Sequence, residues 1–214
     1  MFEAARLAAL GIDVEKIKHS DPDLGEPAWA HVSGWAQLSG TPRRLSCVLL
    51  CRDAAPTLAH LLPELSDVLT EIGFPWEVTV IDQASVDESH EVLSQWTEFP
   101  GFNWLRLAKD YGDTAAALAG LCSVRGDAVI VTNASASPSI ERLPEMVDQW
   151  EQGSAAVFLE RRGDDVWSAG IRSQEPFDLE LHHLTLANSL GGASNIVLLD
   201  RRAIDRLVNS TIGR

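Results

Sequence analysis

Residues 113–133 read DTAAALAGLCSVRGDAVIVTN and join two segments of different character. The first, residues 114–124, is rich in alanine and predicts a helix whose small side chains suit close packing on a sheet. The second, residues 127–132, is a short apolar run rich in β-branched residues, which predicts a buried strand. A polar loop, residues 133–139, follows this strand and contains no carboxylate. A helix that leads directly into a buried strand is typical of an α/β fold.

Strands and helices alternate on both sides of this block. The predicted strands are mostly continuous apolar runs, which is typical of a mostly parallel sheet covered by helices on both faces. We therefore predict one α/β domain built on such a sheet. The predicted strands are residues 45–50, 77–82, 103–107, 127–132 and 155–160, and the predicted helices are residues 57–72, 85–96, 114–124 and 137–150.

Two helix starts are predicted from local patterns. Ser85 and Glu88 have the spacing of a capping box, which predicts that the second helix begins at Ser85. Ser137 and Pro138 have the order of an N-cap and a first helical residue, which predicts the start of the fourth helix. Asp87 is expected to be a charge at a helix start, where the positive end of the helix dipole favours it.

Residues 1–44 differ from the rest of the chain. Residues 2–10 predict a short amphipathic helix, and the remainder is rich in proline, glycine and serine without clear periodicity. We therefore predict an N-terminal arm with a short helix at residues 1–44 and a domain at residues 45–214. The arm either packs Trp29 and Trp35 on the domain or docks a protein partner, and both alternatives remain open.

Composition disfavours some classes of function. The chain has 31 acidic and 17 basic residues and a formal net charge of −14 at pH 7. Such an acidic surface repels phosphate backbones and anionic lipids, so we predict no nucleic-acid partner. No run reaches the about 20 apolar residues of a membrane span, so no membrane segment is expected in this chain. Cys47 and Cys51 are too far apart on one strand for a disulfide, and with Cys122 they are expected to be reduced, which predicts a cytoplasmic location.

Three loops form the predicted ligand site. Ligands of parallel sheets bind at the carboxyl ends of the strands. The loops in question are residues 51–55, 82–87 and 133–139, because each follows a predicted parallel strand. The site is therefore selected by geometry before any side chain is considered.

Five segments occur in an order and at a spacing that resemble a known family. They are LSCVLL, EVTVIDQASVDES, LRLAKDYGDTAAALAGLCSVRGDAVIV, LPEMVDQWEQGSAAVFLERR and NIVLLDRRAIDRL, and the block DYGDTAAALAGLCSVRGDAVIV is the most specific. Residues 45 to about 205 thereby resemble the family-2 glycosyltransferases with a GT-A fold, most closely the polyprenyl-phosphate (dolichol-phosphate) sugar synthases. The resemblance implies a GT-A-like (Rossmann-like) sheet, a nucleotide-sugar donor and a divalent metal ion held by an Asp-x-Asp motif.

The chain departs from the family pattern in its loops. Asp82 matches the first aspartate of the family's pair, but Gln83 replaces the second. Arg52-Asp53-Ala54 stands where the family has a Tyr-Asn-Glu-like turn, and Asn133-Ala134-Ser135 stands where it has the Asp-x-Asp motif. Residues 191–195, GGASN, replace the family's Gly-Asp-Phe-like acceptor turn. Asp113 stands where the family usually has a basic residue. The losses are therefore concentrated where the family binds its ligands.

A divalent metal cofactor is not expected. Mg²⁺ and Mn²⁺ are hard cations that proteins hold mainly with charged oxygen ligands. Asn133 offers a neutral carbonyl and Ser135 a hydroxyl, and neither supplies the negative charge that offsets dehydration of the ion. We therefore predict no metal ligands and no cofactor.

The residues aligned with the family's donor site are candidates for binding a nucleotide-sugar or another small anionic ligand. They are Arg52, Asp53, Asp82, Gln83, Lys109, Asn133 and Ser135. Asp82 either binds such a ligand or fixes the loop ahead of Ser85. Arg52 and Lys109 either face an anion or form surface salt bridges. Asn195 and Arg201 are acceptor-side candidates, with a solvated basic face as the alternative for Arg201.

These departures predict a glycosyltransferase-like domain with an eroded site. In this hypothesis the domain is non-canonical or catalytically inactive in the family reaction and acts as a binding or scaffold subunit, with a protein partner. One alternative is a metal-independent glycosyltransferase that uses a nucleotide-sugar donor. Another is a different small-molecule reaction in the same cleft.

Overall fold

The computed structural model describes residues 7–18, 43–134, 140–162, 166–173 and 196–212. The strands are β1 (Val14–Lys18), β2 (Leu45–Cys51), β3 (Trp76–Asp82), β4 (Phe102–Leu107), β5 (Ala128–Asn133), β6 (Ala156–Arg162), β7 (Val166–Ser173) and β8 (Ile196–Asp200). The helices are α1 (Ala55–Ile72), α2 (Ser89–Trp96), α3 (Asp113–Ser123), α4 (Leu143–Glu151) and α5 (Arg201–Ile212).

The strands form one mixed sheet in the order β1-β4-β3-β2-β5-β8-β6-β7. The four strands β4, β3, β2 and β5 run parallel to one another. The pairings outside them, β1 with β4 on one side and β5-β8-β6-β7 on the other, are antiparallel. The predicted α/β fold is confirmed, and its parallel part is the four-stranded centre of the sheet.

Helices cover both faces of the sheet, as predicted. Cys47 and Leu49 of β2 face a core that includes apolar residues of α1, α2 and α4. Val48 and Leu50 face the other core, which includes apolar residues of α3 and α5. Each side of β2 is therefore buried, which explains why its sequence is apolar apart from Ser46.

Helix α3 packs very closely on β2. A Cβ atom added at Gly120 would lie 2.2 Å from Cγ1 of Val48. The residues around this glycine on α3 are alanines and leucines that are almost fully buried. The predicted close packing of this small-residue helix is confirmed.

One of the two predicted helix starts differs from the structure, and the other stays a prediction. Helix α2 begins at Ser89, four residues later than predicted, and the Ser85 hydroxyl accepts a hydrogen bond from the amide of Asp53 instead of capping a helix. The predicted capping box is therefore wrong. Helix α4 begins at Leu143, after a 3₁₀ turn at residues 140–142. Ser137 and Pro138, the predicted start, lie outside the described residues.

Residues 14–18 form an edge strand that the sequence analysis did not predict. Val14 pairs with Leu107 and Lys18 with Trp104, so β1 extends the sheet beyond β4. Leu7 and Ile12, which precede the strand, are buried in the same core as α3 and α5. The division at residue 44 stays a prediction, and Trp29 and Trp35 lie outside the described residues.

The three cysteines are free thiols, as predicted, and Cys47 and Cys51 are buried. None of the helices in the described part of the chain combines the length and the apolar character that crossing a bilayer requires.

Candidate functional site

The predicted loops meet at one edge of the sheet. Cys51 at the end of β2 is paired with Asp82 at the end of β3, and Leu50 is paired with Asn133 at the end of β5. Asp82 is also paired with Arg106 of β4, so the loop that contains Lys109 follows at the same edge. We call this the carboxyl edge, since the four parallel strands end there.

The first two loops are joined by hydrogen bonds from backbone to side chain. Three consecutive amides of the loop after β2 donate to side chains of the loop after β3. The bonds run from Asp53 N to Ser85 Oγ (2.9 Å), from Ala54 N to Ser89 Oγ (3.1 Å) and from Ala55 N to Asp87 Oδ2 (2.9 Å). In return, Val86 N donates to Asp53 Oδ1 at 2.7 Å. These polar groups satisfy one another and fix the two loops as a unit.

Asp87 caps two helices at once. It accepts hydrogen bonds from the amide of Ala55, the first residue of α1, and from the amide of Ser89, the first residue of α2. Partial burial raises the pKa of Asp87, but the hydrogen bonds from Ser89 and Ala55 outweigh burial and hold the pKa below its usual value. The predicted helix-start charge is confirmed, and its stabilisation is lost as pH falls through this lowered pKa.

Both loops contain a residue in the left-handed backbone region. Asp53 has φ 45° and Ala84 has φ 56°. This conformation costs a residue with a Cβ atom roughly 1–2 kcal/mol. The loops hold it because the bonds between them leave little freedom for relaxation.

Ala84→Gly is expected to raise the free energy of unfolding by about 0.5–1 kcal/mol in urea denaturation, because glycine adopts this region without strain. Ala54→Gly is the matched control, since Ala54 has φ −127° and gains no such relief. The control is expected to lose stability. Equal losses in both variants would contradict the assigned strain.

Asp82 is fully buried and its two oxygens are both bonded. Oδ1 accepts from the amide of Ser85 at 2.9 Å, and Oδ2 accepts from Nη1 of Arg106 at 2.8 Å. The bond to Ser85 is the contact that the loop-fixing alternative requires. Ligand binding by Asp82 remains a proposal.

Arg106 is a central residue of this edge that the sequence analysis missed. Its guanidinium donates to Asp82, to the carbonyl of Ser85 at 2.9 Å and to Oε2 of Glu15 on β1 at 3.0 Å. Burial lowers the pKa of Arg106, but the hydrogen bond to Glu15 and the negative charge of Asp82 outweigh it and raise the pKa. The sequence carried a signal for this role, since Arg106 is the one charged residue in the otherwise mostly apolar strand FNWLRL. A charge in such a strand needs a partner when it is buried.

Gln83 and Asp113 contact each other. The amide Nε2 of Gln83 donates to Oδ1 of Asp113 at 2.9 Å, and the Gln83 side chain is buried. Asp113 is the first residue of α3, so its carboxylate lies at the positive end of that helix. The structure thus brings together two positions at which the chain departs from the family pattern.

The two basic candidates are at the carboxyl edge, but both have intramolecular contacts. Arg52 forms an ion pair with Asp110. The ammonium of Lys109 lies 4.9 Å from the centre of the Tyr111 ring, within the range of a cation–π contact. The Arg52 side chain is still half-exposed. The predicted surface salt bridge is therefore present for Arg52.

Cys51 lies below the loops but is not suited to be a nucleophile. Burial, followed by the negative charges of Asp82 and Asp87, raises the pKa of its thiol well above the usual value. A thiol with a raised pKa stays protonated at neutral pH and reacts slowly.

Asn133 is the last residue of β5 and lies at the carboxyl edge, whereas Ser135 and Asn195 lie outside the described residues. A metal ion implied by the family would need charged oxygen ligands at this position. Asn133 offers a neutral amide there and supplies no negative charge for Mg²⁺ or Mn²⁺, and the absence of a metal cofactor stays a prediction. The described residues contain no group of three or more His, Cys, Asp or Glu side chains that could hold a metal ion.

Arg201 is not brought together with the other candidates. Strand β8 runs antiparallel to β5, with Asp200 paired to Ala128, so Arg201 follows at the amino edge of the parallel strands. Its guanidinium donates to the carbonyls of Gly126 at 2.8 Å and Val124 at 3.1 Å. These contacts give Arg201 a structural role that the sequence analysis did not consider.

Two curated relatives are similar to a little more than half of this chain. The undecaprenyl-phosphate 4-deoxy-4-formamido-L-arabinose transferase of Edwardsiella ictaluri (strain 93-146) is 28% identical over 126 residues, which cover 58% of this chain and 39% of that protein. The transferase of the same name from Pseudomonas aeruginosa (strain LESB58) is 32% identical over 127 residues, which cover 58% and 38%. The chain therefore spans less than two fifths of the length of these relatives.

Solved glycosyltransferases share the fold. The mannosyltransferase PcManGT from Pyrobaculum calidifontis, in complex with GDP-Man and Mn²⁺, matches 96% of this chain and 56% of its own with a TM-score of 0.55 and 19% identity. Glucosyl-3-phosphoglycerate synthase from Mycobacterium tuberculosis, in complex with Mn²⁺, UDP and phosphoglyceric acid, matches 75% of this chain and 56% of its own with a TM-score of 0.50 and 19% identity. The predicted GT-A-like fold is confirmed.

The sequence model of the family described as glycosyl transferase family 2 matches residues 46–208. This range runs from the second residue of β2 through β8 into α5, so it covers the whole carboxyl edge. The chain belongs to glycosyl transferase family 2.

Proposed function

We propose that this domain does not catalyse metal-dependent sugar transfer and acts as a binding or scaffold subunit. The hydrogen bond between Gln83 and Asp113 carries this proposal. The resembled synthases have an aspartate at the first position and usually a basic residue at the second. Here a neutral amide faces a carboxylate, so the positive charge at the second position is replaced by a negative one and the pair carries a net negative charge.

The charges around this pair support the proposal. Arg106 is committed to the buried Asp82, and Arg52 is paired with Asp110. The carboxylate of Asp113 thus adds negative charge where a diphosphate needs positive charge. Like charges repel, so this carboxylate disfavours a nucleoside diphosphate bound beside it.

The chemistry of the leaving group supports the same conclusion. Sugar transfer from a nucleotide donor releases a diphosphate, and preorganised positive charge is usually the largest contribution to stabilising such a group. Asn133 replaces the first carboxylate of the family's metal motif, so no reaction step is assigned to a metal ion here. The relatives are transferases and the solved glycosyltransferases hold GDP-Man, UDP and Mn²⁺, but these are properties of those proteins.

A metal-independent transferase is the second candidate function. The half-exposed Arg52 favours it, because a guanidinium at the carboxyl edge is able to bind phosphate in a bidentate manner. In this alternative Arg52 exchanges Asp110 for the diphosphate of the donor. A cytoplasmic location is part of both proposals and is supported by the three free thiols.

Calorimetry with UDP, GDP and their sugar conjugates tests the proposal, first with Mn²⁺ and then with EDTA. For the wild type we expect no heat of nucleotide binding that is present with Mn²⁺ and lost with EDTA. The variant Gln83→Asp/Asp113→Lys restores the family's charges, and we expect it to bind at least about tenfold more tightly than the wild type.

Arg52→Ala in the wild-type background separates the two candidates. Binding that survives EDTA and is lost in this variant would support the metal-independent transferase. Binding that requires Mn²⁺ in the wild type would contradict both candidates. Arg125→Ala is the matched control, because Arg125 follows α3 and lies at the amino edge near Glu77.

A further inference from the structure

The N-terminal edge segment, residues 7–18, contacts the loop after β4 directly and is linked to the loop after β3 through Arg106 of β4. We propose that the edge segment is a positioning element that holds the loops after β3 and β4 in one arrangement. This inference concerns the conformation of the loops and does not depend on the ligand of the site.

The first contact joins Asp13 to the loop after β4. The amide of Asp13 donates to the Tyr111 hydroxyl at 3.0 Å, and that hydroxyl donates to Oδ2 of Asp13 at 3.4 Å. The amide of Ala108 donates to the Asp13 carbonyl at 3.0 Å. Tyr111 is the only tyrosine in the chain. Its hydroxyl therefore ties the start of β1 to the far end of this loop.

The same loop contains Lys109 and contacts Arg52, which are the two basic candidates of the site. Lys109 lies over the Tyr111 ring, and Asp110 forms the ion pair with Arg52. Asp110 also accepts a hydrogen bond from the amide of Gly112 at 2.7 Å, which keeps the turn before α3 compact. The position of Tyr111 thus determines the positions of the Lys109 and Arg52 side chains at the carboxyl edge.

The second contact joins Glu15 to the loop after β3 through Arg106. Glu15 accepts from Nε of Arg106, whose other nitrogens donate to Asp82 and to the Ser85 carbonyl. The amide of Ser85 in turn donates to Asp82. A change at Glu15 is therefore transmitted to Ser85 by a chain of hydrogen bonds.

An edge strand is suited to link the two loops. Among the strands that the structure describes, β1 is paired on one side only, so its opening breaks fewer contacts than the opening of a central strand. When β1 opens, Tyr111 and Arg106 lose a partner at the same time. The two loops are then expected to loosen together, although they do not follow each other in the sequence.

Amide hydrogen exchange of the full chain, measured residue by residue, tests the inference. Tyr111→Phe removes the hydroxyl and keeps the ring over which Lys109 lies. We expect exchange to become about three- to tenfold faster at Gly112 and also at Ser85, which Tyr111 does not bond. Glu15→Gln is expected to act in the reverse direction and to accelerate exchange at Gly112, because coupling is reciprocal.

The amide of Val48 in the centre of the sheet is the internal reference, and we expect it to keep its rate within about twofold. Glu64→Gln, a change of the same type at an exposed position of α1, is the matched control variant and should leave both loops unchanged. Acceleration at Gly112 alone in Tyr111→Phe would overturn the inference, since the loops would then be independent. Equal acceleration at Val48 would overturn it as well, because the variant would have destabilised the whole domain.

Discussion

Arg106→Gln is expected to lower the free energy of unfolding by about 3–5 kcal/mol, because it leaves the fully buried Asp82 without its ion-pair partner. A buried carboxylate that loses its partner keeps the cost of dehydration and loses the attraction that offsets it. The change also removes the guanidinium nitrogen that donates to the Ser85 carbonyl. Urea denaturation followed by circular dichroism measures the change.

Glu15→Gln is the matched control for this prediction. It removes the exposed acidic partner of the same guanidinium and leaves Asp82 paired. Exposed ion pairs contribute about 0–1 kcal/mol, so the control should stay within that range. If Arg106→Gln also lost less than about 1 kcal/mol, the assignment of Asp82 as a charge stabilised by Arg106 would be wrong.

Gly120→Ala is expected to lower the free energy of unfolding by about 1–3 kcal/mol, because the new methyl group overlaps the side chain of Val48. Helix propensity alone predicts the opposite sign, a gain of about 0.8–1 kcal/mol. The measured sign therefore decides whether packing or propensity governs this position. Thermal and urea denaturation of the variant give the answer.

A double-mutant cycle provides the control. Val48→Ala removes the two methyl groups that the new side chain would meet, at the cost of a cavity of its own. The double variant should lose less free energy of unfolding than the two single variants lose together, and the difference should be at least about 1 kcal/mol. Additive losses would show that Val48 is not the contact that excludes a side chain at Gly120.

The central elements could be predicted from the sequence because burial on both faces leaves a clear signal. Strand β2 and strand β5 are mostly apolar, and α3 has small residues where it meets the sheet. Strands β1 and β7 were missed for the opposite reason. Each lies at an end of the sheet, and VEKIK and VWSAGIRS contain polar residues among apolar ones. Nothing local indicates a partner strand for VEKIK that lies about 90 residues away.

The loops show where local patterns fail. Ser85 has the spacing of a helix cap, but its hydroxyl is bonded to Asp53 from another loop, so a tertiary contact overrides the local motif. The sequence order placed Asp82 and Gln83 at the carboxyl edge correctly, yet it gave no sign that Arg106 and Asp113 would be their partners. Partners of this kind depend on strand register, which a single sequence does not reveal.

Arg201 illustrates the effect of strand direction. It directly follows an apolar run, as the residues of the candidate loops do. The run is β8, which is antiparallel to β5, so the residue after it arrives at the opposite edge of the sheet. The periodicity of an apolar strand is the same in both directions, and the sequence analysis could not distinguish them.

The pairing of β1 with β4 also has a consequence for the order in which a ribosome makes this chain. Val14 is synthesised 93 residues before its partner Leu107, as the register of the two strands shows. At about 5–20 residues per second, β1 waits roughly 5–19 s before β4 exists. By then β2 and β3 have been made, so β1 is expected to dock after these two strands although it is translated before them. The lysines of VEKIK suit such a delay, since charged side chains keep an unpaired strand from associating with other nascent chains.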